Sequence, residues 1–337
     1  MNVHLNDILI LPVNTIKNIQ IQVKILDIIY SDEKSNLLKI NILDNHEYDE
    51  KNQYALKITS KKNDLFKVFI DNEYLFSKYI LEEGIKNVPG VNFSFYCSED
   101  NNYYYYISEL YDMDLEAFEK YFLQLDMIKR LEIARLIYYN SLVGLNNLSK
   151  LNILHRDIQP KNILIKRLPK NKIKIALSDF GCSCIENILN CDKALYNTGY
   201  IDPMYVVKKM LNIDNISNDK KEYDLYALSI TILNMILKDK ISAQSILDEF
   251  SDFIKNKMIS DNLGIRDIPE YYIIQEKLYT LMRNEIFLIF EMMKGDKNLN
   301  DEQYFILKNF LALLHYNIVP FVERDNVQNV LKLIKIQ

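Results

Sequence analysis

The hydrophobic pattern of this chain changes about a third of the way along, and the change limits the folds that it can adopt. Residues 19–30 (IQIQVKILDIIY), 37–43 and 54–59 are rich in β-branched and aromatic residues, and polar stretches separate them. This pattern predicts three strands. Residues 63–82 carry apolar side chains at helical spacing, which predicts a helix.

The first third continues with two more predicted strands at residues 91–97 and 103–110, after Pro89-Gly90. From Leu115 onward the pattern is mainly helical. Helices are predicted at 127–150, 223–238, 278–294 and 301–316, with two short strand-like pieces between residues 162 and 178. We therefore expect an α+β fold with two lobes. Residues 1–108 would form a small strand-rich lobe with one main helix, and residues 109–337 a larger, mainly helical lobe.

Composition excludes several classes of protein. Hydrophobic residues make up 49% of the 337 residues and charged residues 26%, which is typical of a folded chain and not of a disordered one. The net charge is −5 and no block of like charge occurs, so we expect neither nucleic acid nor an anionic membrane as a partner. No apolar run approaches the roughly 20 residues that a membrane span needs.

The start of the chain and the cysteines indicate a compartment. The segment MNVHLNDILILPVN has no basic region before its short apolar patch, so we expect no signal peptide. The four cysteines are too few and too closely spaced for a disulfide framework; they are Cys97, Cys182, Cys184 and Cys191. We expect a reducing cytoplasm, that of a cell or of an infected host cell.

Three short segments carry chemistry-bearing residues. They are YALKI (54–58) in a predicted strand, HRDIQPKN (155–162) and SDFG (178–181). In their order and settings, these segments resemble motifs of the eukaryotic-type protein kinase superfamily. The resemblance runs from about Val23 to Lys332. It implies the bilobal kinase fold and transfer of the γ-phosphoryl group of ATP to a protein hydroxyl, of serine or threonine by default. ATP and Mg²⁺ or Mn²⁺ would be the cofactors, and a protein the substrate.

The resemblance implies a role for five side chains. Lys57 would hold the α- and β-phosphates of ATP, aimed by Glu73, whose position in the helix is better than those of Glu82 and Glu83. Asp179 and Asn162 would bind the metal ions, and Asp157 would orient the acceptor hydroxyl and receive its proton.

Supporting positions follow from the same resemblance. Backbone groups of Glu109 to Tyr111 would bind adenine. Asp224, in an otherwise apolar helix, would brace the catalytic loop, since a buried carboxylate needs partners. The segment ERDNVQNVLKL (323–333) resembles the C-terminal helical segment of the family, with Arg324 at its arginine.

Four features depart from the family pattern. Gln159 stands where serine/threonine kinases carry a lysine, although Lys161, two residues further, stands where some tyrosine kinases carry a compensating arginine. The glycine-rich loop is missing, because the turn YSDEKSN (30–36) contains no glycine. Met204 replaces the glutamate that would pair with Arg324. The stretch between Met204 and Asp224 is longer than usual.

Two further questions concern the segment after the SDFG motif. Arg156 beside Asp157 is typical of control by phosphorylation, with Ser183, Tyr196 and Thr198 as candidate acceptors. The cysteines in CSCIENILNC (182–191) are better explained as buried, reduced thiols than as a zinc site or a redox sensor.

These observations support three functions to different degrees. The retained set of Lys57, Glu73, Asp157, Asn162 and Asp179 favours an active protein kinase. Gln159, the missing glycines and Met204 favour the alternative, a pseudokinase that acts as a binding or allosteric module. A small-molecule kinase of the aminoglycoside or choline type fits least, because such enzymes resemble this fold without the HRD and DFG motifs together.

Overall fold

The chain forms two compact units in the computed structural model. The residues described are 3–14, 16–32, 34–43, 52–62, 67–170, 172–185, 188, 200, 221–237, 268–297, 299–318 and 327–334. The first unit consists of Met1–Met113 with Leu164–Ser183, and the second unit of Asp114–Ile163 with Cys184–Gln337. Strands dominate the first unit and helices the second, so the α+β prediction is confirmed.

A six-stranded sheet forms the frame of the first unit. Its strands are β1 (Ile8–Ile10), β2 (Gln22–Ser31), β3 (Ser35–Leu43), β4 (Tyr54–Ser60), β5 (Tyr96–Glu99) and β6 (Tyr103–Glu109). Their order is β1-β2-β3-β4-β6-β5, and neighbouring strands are antiparallel. Every second residue of β3 is buried, because alternate side chains point to opposite faces of a sheet. Leu38, Ile40 and Ile42 belong to the apolar core on one face.

A helix and a small sheet complete the first unit. Helix α1 (Lys67–Glu82) buries Tyr74 and Phe76, and the Tyr74 ring stacks on Tyr104 of β6 with 4.5 Å between centroids. A smaller sheet has the order β10-β9-β7, with β7 (Met113–Asp114), β9 (Ile163–Leu168) and β10 (Lys172–Leu177). The two remaining strands, β8 (Ile153–Leu154) and β11 (Cys184–Ile185), pair with each other in the second unit. The predicted helix and the strand-like pieces after residue 162 are thus present.

The second unit is built from helices around an apolar core. They are α2 (Leu115–Phe122), α3 (Met127–Lys150), α4 (Lys221–Leu237), α5 (Ile268–Gly295), α6 (Asp301–Asn317) and α7 (Val327–Ile334). Buried Tyr138 of α3 links three helices, since its hydroxyl lies 2.9 Å from Ser229 Oγ in α4 and accepts from Asn317 Nδ2 in α6 at 3.1 Å. Within the described parts of the chain, none of the helices is both long and apolar enough to cross a membrane.

Two local features differ from the sequence-based expectation. Strand β1 was not predicted, because its three residues are too short for a clear alternation. The strand predicted from residue 91 begins only at Tyr96. Residues before it bond elsewhere, since Asn92 N donates to Leu177 O at 2.8 Å and Val91 bridges Leu177.

The segment around β1 is anchored to the sheet of the first unit. Leu11 is 1% exposed and belongs to the apolar core. Buried Asn14 donates from Nδ2 to Cys97 O at 2.7 Å, and the Tyr96 hydroxyl donates to Pro12 O. Residues 11–14 are therefore part of the folded core of this unit.

We expect Leu11→Ala to lower the free energy of unfolding by about 2–5 kcal/mol, because it leaves a cavity in the core. Its neighbour Ile10 is 60% exposed, so Ile10→Ala provides a matched control with a much smaller effect. Urea unfolding followed by circular dichroism measures both. Equal losses in the two variants would show that residue 11 is not a core position.

Candidate functional site

An ion pair between Lys57 and Glu73 lies at the centre of the first unit. Lys57 is on β4, and Glu73 is on the helix α1 that follows. Lys57 Nζ lies 2.7 Å from Glu73 Oε1 and 2.8 Å from Oε2, and Asp179 Oδ1 lies 4.0 Å from the same nitrogen. The three side chains that the motifs singled out in this unit therefore meet at one ammonium group.

The electrostatics of this group keep the lysine charged. Burial by itself lowers the pKa of Lys57, but the carboxylates of Asp179 and Glu73 outweigh burial and hold the pKa above its ordinary value. Burial raises the pKa of Glu73, and the ammonium group opposes that shift. Removal of either partner would leave a poorly compensated buried charge, which costs far more than the loss of an exposed pair.

The segment that contains Asp179 adopts a strained backbone. Asp179 has a φ of 64°, a left-handed conformation that is uncommon for residues other than glycine. The next residue, Phe180, is buried, and its ring stacks on Phe76 of α1 with 4.7 Å between centroids and lies 5.0 Å from Phe93. Aromatic packing therefore holds the residue beside the strained position.

The second unit contains the HRDIQPKN segment, in which two amides bind the carboxylate of Asp157. Gln159 Nε2 donates to Asp157 Oδ1 at 2.9 Å, and Asn162 Nδ2 donates to Asp157 Oδ2 at 2.8 Å. Asn162 Nδ2 also donates to the backbone oxygen of Asp157 at 2.8 Å. The two predicted residues of this unit, Asp157 and Asn162, are therefore in direct contact.

A buried carboxylate from α4 supports the same segment. The side chain of Asp224 accepts hydrogen bonds from the backbone N–H groups of His155 at 2.7 Å and Arg156 at 2.8 Å. Arg156 has a φ of 65°, so these bonds hold a strained turn just before Asp157. Burial raises the pKa of Asp224, while His155 and Arg156 oppose the shift.

The comparison with known proteins identifies the family. Residues 42–298 match the family described as protein kinase domain, and this range is more than half of the 337-residue chain. The chain belongs to the protein kinase family. The prediction from the three motifs is thus confirmed, and with it the kinase fold, with a strand-rich first unit and a helical second unit.

Several protein kinases are similar to parts of this chain. Calcium-dependent protein kinase 4 of Plasmodium falciparum is 33% identical over 132 residues, which cover 39% of this chain and 24% of that relative. A probable serine/threonine-protein kinase of Dictyostelium discoideum is 28% identical over 182 residues, covering 47% and 12%. Serine/threonine-protein kinase ksp1 of Schizosaccharomyces pombe is 29% identical over 174 residues, covering 46% and 34%. The chain thus spans about a third or less of the length of these relatives.

The segment predicted to bind adenine has contacts that the sequence did not reveal. The carboxylate of Glu109 lies 2.9 Å from Lys166 Nζ and 2.5 Å from Lys174 Nζ. Burial by itself raises the pKa of Glu109, but the two lysines outweigh burial and lower it. The backbone oxygen of Glu109 accepts from Asn92 Nδ2 at 3.2 Å. The Tyr111 side chain is buried, with Lys174 Nζ 5.5 Å from its ring centroid.

The turn in place of the glycine-rich loop is closed by its own carboxylate. Asp32 Oδ1 accepts from the backbone N–H groups of Lys34 at 2.7 Å and Ser35 at 2.6 Å. Asp32 N donates to Ser35 O at 2.9 Å, and the Tyr30 hydroxyl donates to Asp32 Oδ2 at 2.5 Å. The hydrogen bond from Tyr30, together with those from the backbone, lowers the pKa of Asp32.

The structure agrees with some of the predictions for the cysteines and the candidate phosphorylation sites and disagrees with others. Cys97 and Cys182 are buried, which for Cys182 was expected, whereas Cys184 is disulfide-bonded, which was not expected. No group of three or more His, Cys, Asp or Glu suited to a metal ion occurs among the residues described.

Ser183 is 2% exposed, which makes it a poor acceptor of phosphate. The other residues singled out in this region, and two elsewhere, lie outside the described residues: Glu33, Cys191, Tyr196, Thr198, Met204 and Arg324.

We expect Asp224→Ala to destabilise the kinase strongly, because two buried N–H groups lose their acceptor at about 1–3 kcal/mol each. Asp224→Asn should cost less, since the amide keeps one acceptor oxygen. Glu132→Ala, which removes an exposed carboxylate from α3, is the control and should change the free energy of unfolding by less than about 0.5 kcal/mol. Urea unfolding provides the measurement. Equal effects for Asp224→Ala and Glu132→Ala would contradict the bracing role.

Proposed function

We propose that this protein is an ATP-dependent protein kinase that transfers the γ-phosphoryl group to a serine or threonine hydroxyl of a protein. The observation that carries the proposal is the charged cluster in which Lys57 Nζ lies within 2.8 Å of both Glu73 oxygens and 4.0 Å from Asp179. A charged cluster that is partly removed from water, as here with Lys57 31% and Glu73 13% exposed, is costly and gives little net stability. Its retention in a motif-bearing segment therefore favours a functional role.

The residues fit the divalent metal that such a reaction uses. The side chain of Asp179 is 44% exposed, so its carboxylate is accessible to a ligand. Asn162 donates from Nδ2 to Asp157, and its side-chain amide also carries an oxygen, the kind of atom that ligates a divalent metal. Carboxylate and amide oxygens are the ligands that Mg²⁺ and Mn²⁺ prefer. The bound metal–ATP complex would supply the phosphoryl group and neutralise part of its charge.

Asp157 is the residue that we assign to the acceptor hydroxyl. Its carboxylate accepts hydrogen bonds from Gln159 and Asn162, which set its orientation. An oriented carboxylate can hold a hydroxyl group and take its proton. Gln159 provides this orientation but brings no positive charge, so it does not offset the charge of the transferring phosphate as a lysine would. We therefore expect transfer to be slow.

The turn at Asp32 supports a weak grip on ATP. A glycine-rich turn binds phosphate through backbone N–H groups that point toward it. Here Asp32 takes the N–H groups of Lys34 and Ser35 and adds a negative charge of its own. We infer that this turn contributes little to phosphate binding, and that in the first unit Lys57 would hold the phosphates directly and Asp179 would act through the metal ion.

The same observations support a second candidate function. A pseudokinase would keep the fold while it binds partners in place of catalysis, and both the closed turn at Asp32 and the uncharged Gln159 are compatible with that function. The intact contacts of Lys57 and Asp157 favour the active enzyme over it. The relatives from Dictyostelium and Schizosaccharomyces are named serine/threonine-protein kinases, which favours serine or threonine as the acceptor. A cytoplasmic location stays a prediction from the start of the chain and the cysteines, and the absence of nucleic-acid and membrane partners stays one from composition and charge.

Autophosphorylation with radiolabelled ATP tests the proposed function. We expect label on the wild-type protein with Mg²⁺ or Mn²⁺, and its loss in Asp157→Ala, Asp179→Ala and Lys57→Ala, because each removes a group that acts on the reacting phosphate or hydroxyl. Lys39→Ala on the neighbouring strand β3 is the control for the lysine variant and should keep its label. If the wild-type protein takes no label, even with Mn²⁺ and millimolar ATP, the proposed kinase activity would be overturned in favour of the pseudokinase.

Substitution of Asp32 tests the weak phosphate grip. We expect Asp32→Ala to strengthen binding of Mg·ATP about threefold to tenfold, because two N–H groups are released and a negative charge is removed. Asp27→Ala removes an equal charge from β2, the strand that precedes Asp32, and is the matched control. Isothermal titration calorimetry gives both dissociation constants. An equal gain in the two variants would mean that the effect is one of net charge and not of the closed turn.

A further inference from the structure

Helix α1 makes a second polar contact beside the Lys57–Glu73 ion pair. Asn72, the residue before Glu73, donates from Nδ2 to the backbone oxygen of Gly181 at 2.9 Å and to that of Ser183 at 2.8 Å. These two oxygens lie two and four residues after Asp179. One side-chain amide of the helix thus binds the backbone that follows the proposed metal ligand.

The chemistry of this contact is specific to an amide. The NH₂ group of asparagine has two hydrogens to donate, and here it faces two carbonyl oxygens. An aspartate at this position would have no donor and would repel both oxygens, and a serine would have a single donor of shorter reach. The position therefore requires a side chain with two donors on one atom.

Three contacts within two turns of α1 act on the same part of the first unit. Glu73 binds Lys57, Asn72 binds the backbone of Gly181 and Ser183, and Phe76 stacks on Phe180 with 4.7 Å between centroids. Asp179 is adjacent in sequence to the segment that these contacts hold. Its positive φ is a strained conformation, which persists only where the surrounding contacts hold the backbone in place. The helix thus determines the position of both the lysine and the metal ligand.

We propose that Asn72 is a positioning residue that sets the affinity of Asp179 for the divalent metal. It acts through the backbone of Gly181 and Ser183 and touches neither nucleotide nor metal. The contacts involved all lie within the first unit, so metal binding should not require phosphorylation of the chain. This inference rests on the proposed function, because it presumes that Asp179 binds a metal–nucleotide complex.

The test is the Mn²⁺ dependence of nucleotide binding by phosphatase-treated full-length protein. The probe is a non-hydrolysable ATP analogue, and calorimetry gives its dissociation constant with and without Mn²⁺. We expect Asn72→Ala and the isosteric Asn72→Asp to weaken the Mn²⁺-dependent binding about tenfold or more, as loss of a ligand-orienting group typically does. Metal-free binding, which depends on Lys57, should stay within about twofold. Lys78→Ala, on an exposed part of α1, is the control and should match the wild type.

The outcomes separate this inference from the proposed function. Wild-type protein that binds no analogue under any condition would overturn both. If Mn²⁺ strengthens binding by the same factor in the wild type and in the Asn72 variants, the role of Asn72 would be overturned and the proposed function would stand. If Asn72 served only to stabilise the fold, its variants would have a lower melting temperature and would bind the analogue more weakly by the same factor with and without Mn²⁺. That result would also overturn the positioning role. Two variants of different shape, Asn72→Ala and Asn72→Asp, keep the test decisive where one of them folds poorly.

Discussion

The ammonium group of Lys57 is the charge on which the first unit depends. A partly buried cation is stable where carboxylates compensate it, and two are present: Glu73 within 2.8 Å and Asp179 at 4.0 Å. These three residues come from β4, from α1 and from the segment after β10. The ion pair therefore requires these elements to lie close to one another. In the same arrangement, the ring of Phe180 stacks on that of Phe76.

The second unit handles a buried charge in a different way. The side-chain oxygens of Asp224 accept hydrogen bonds from the backbone N–H groups of His155 and Arg156. The result is a strained turn held in place just before Asp157, whose own carboxylate is oriented by two amides. Both units thus use the high cost of an unsatisfied buried carboxylate to hold a functional segment in a single geometry.

The elements that could be predicted were those with long, regular patterns. Strand β3 alternates buried and half-buried residues along its whole length, and α3 has apolar residues at helical spacing, so both were found close to their observed bounds. Strand β1 is too short for such a pattern. Residues 91–95 (VNFSF) looked like a strand because apolar and polar side chains alternate, but Val91 and Asn92 pair with Leu177, far away in sequence. Local pattern carries no information about such a partner.

The sequence by itself determined the family, the order of the elements and the identity of the charged residues, because motif residues and hydrophobic period are local properties. Only the tertiary structure decided what those residues contact. Asn72 gave no signal, since one asparagine in an amphipathic helix is ordinarily a surface residue, and its partners are backbone oxygens 109 and 111 residues away. The same holds for Asp32, whose carboxylate closes its own turn, and for Gln159, whose donor binds Asp157. Hydrogen bonds of this kind depend on distance and direction in space, which no one-dimensional pattern records.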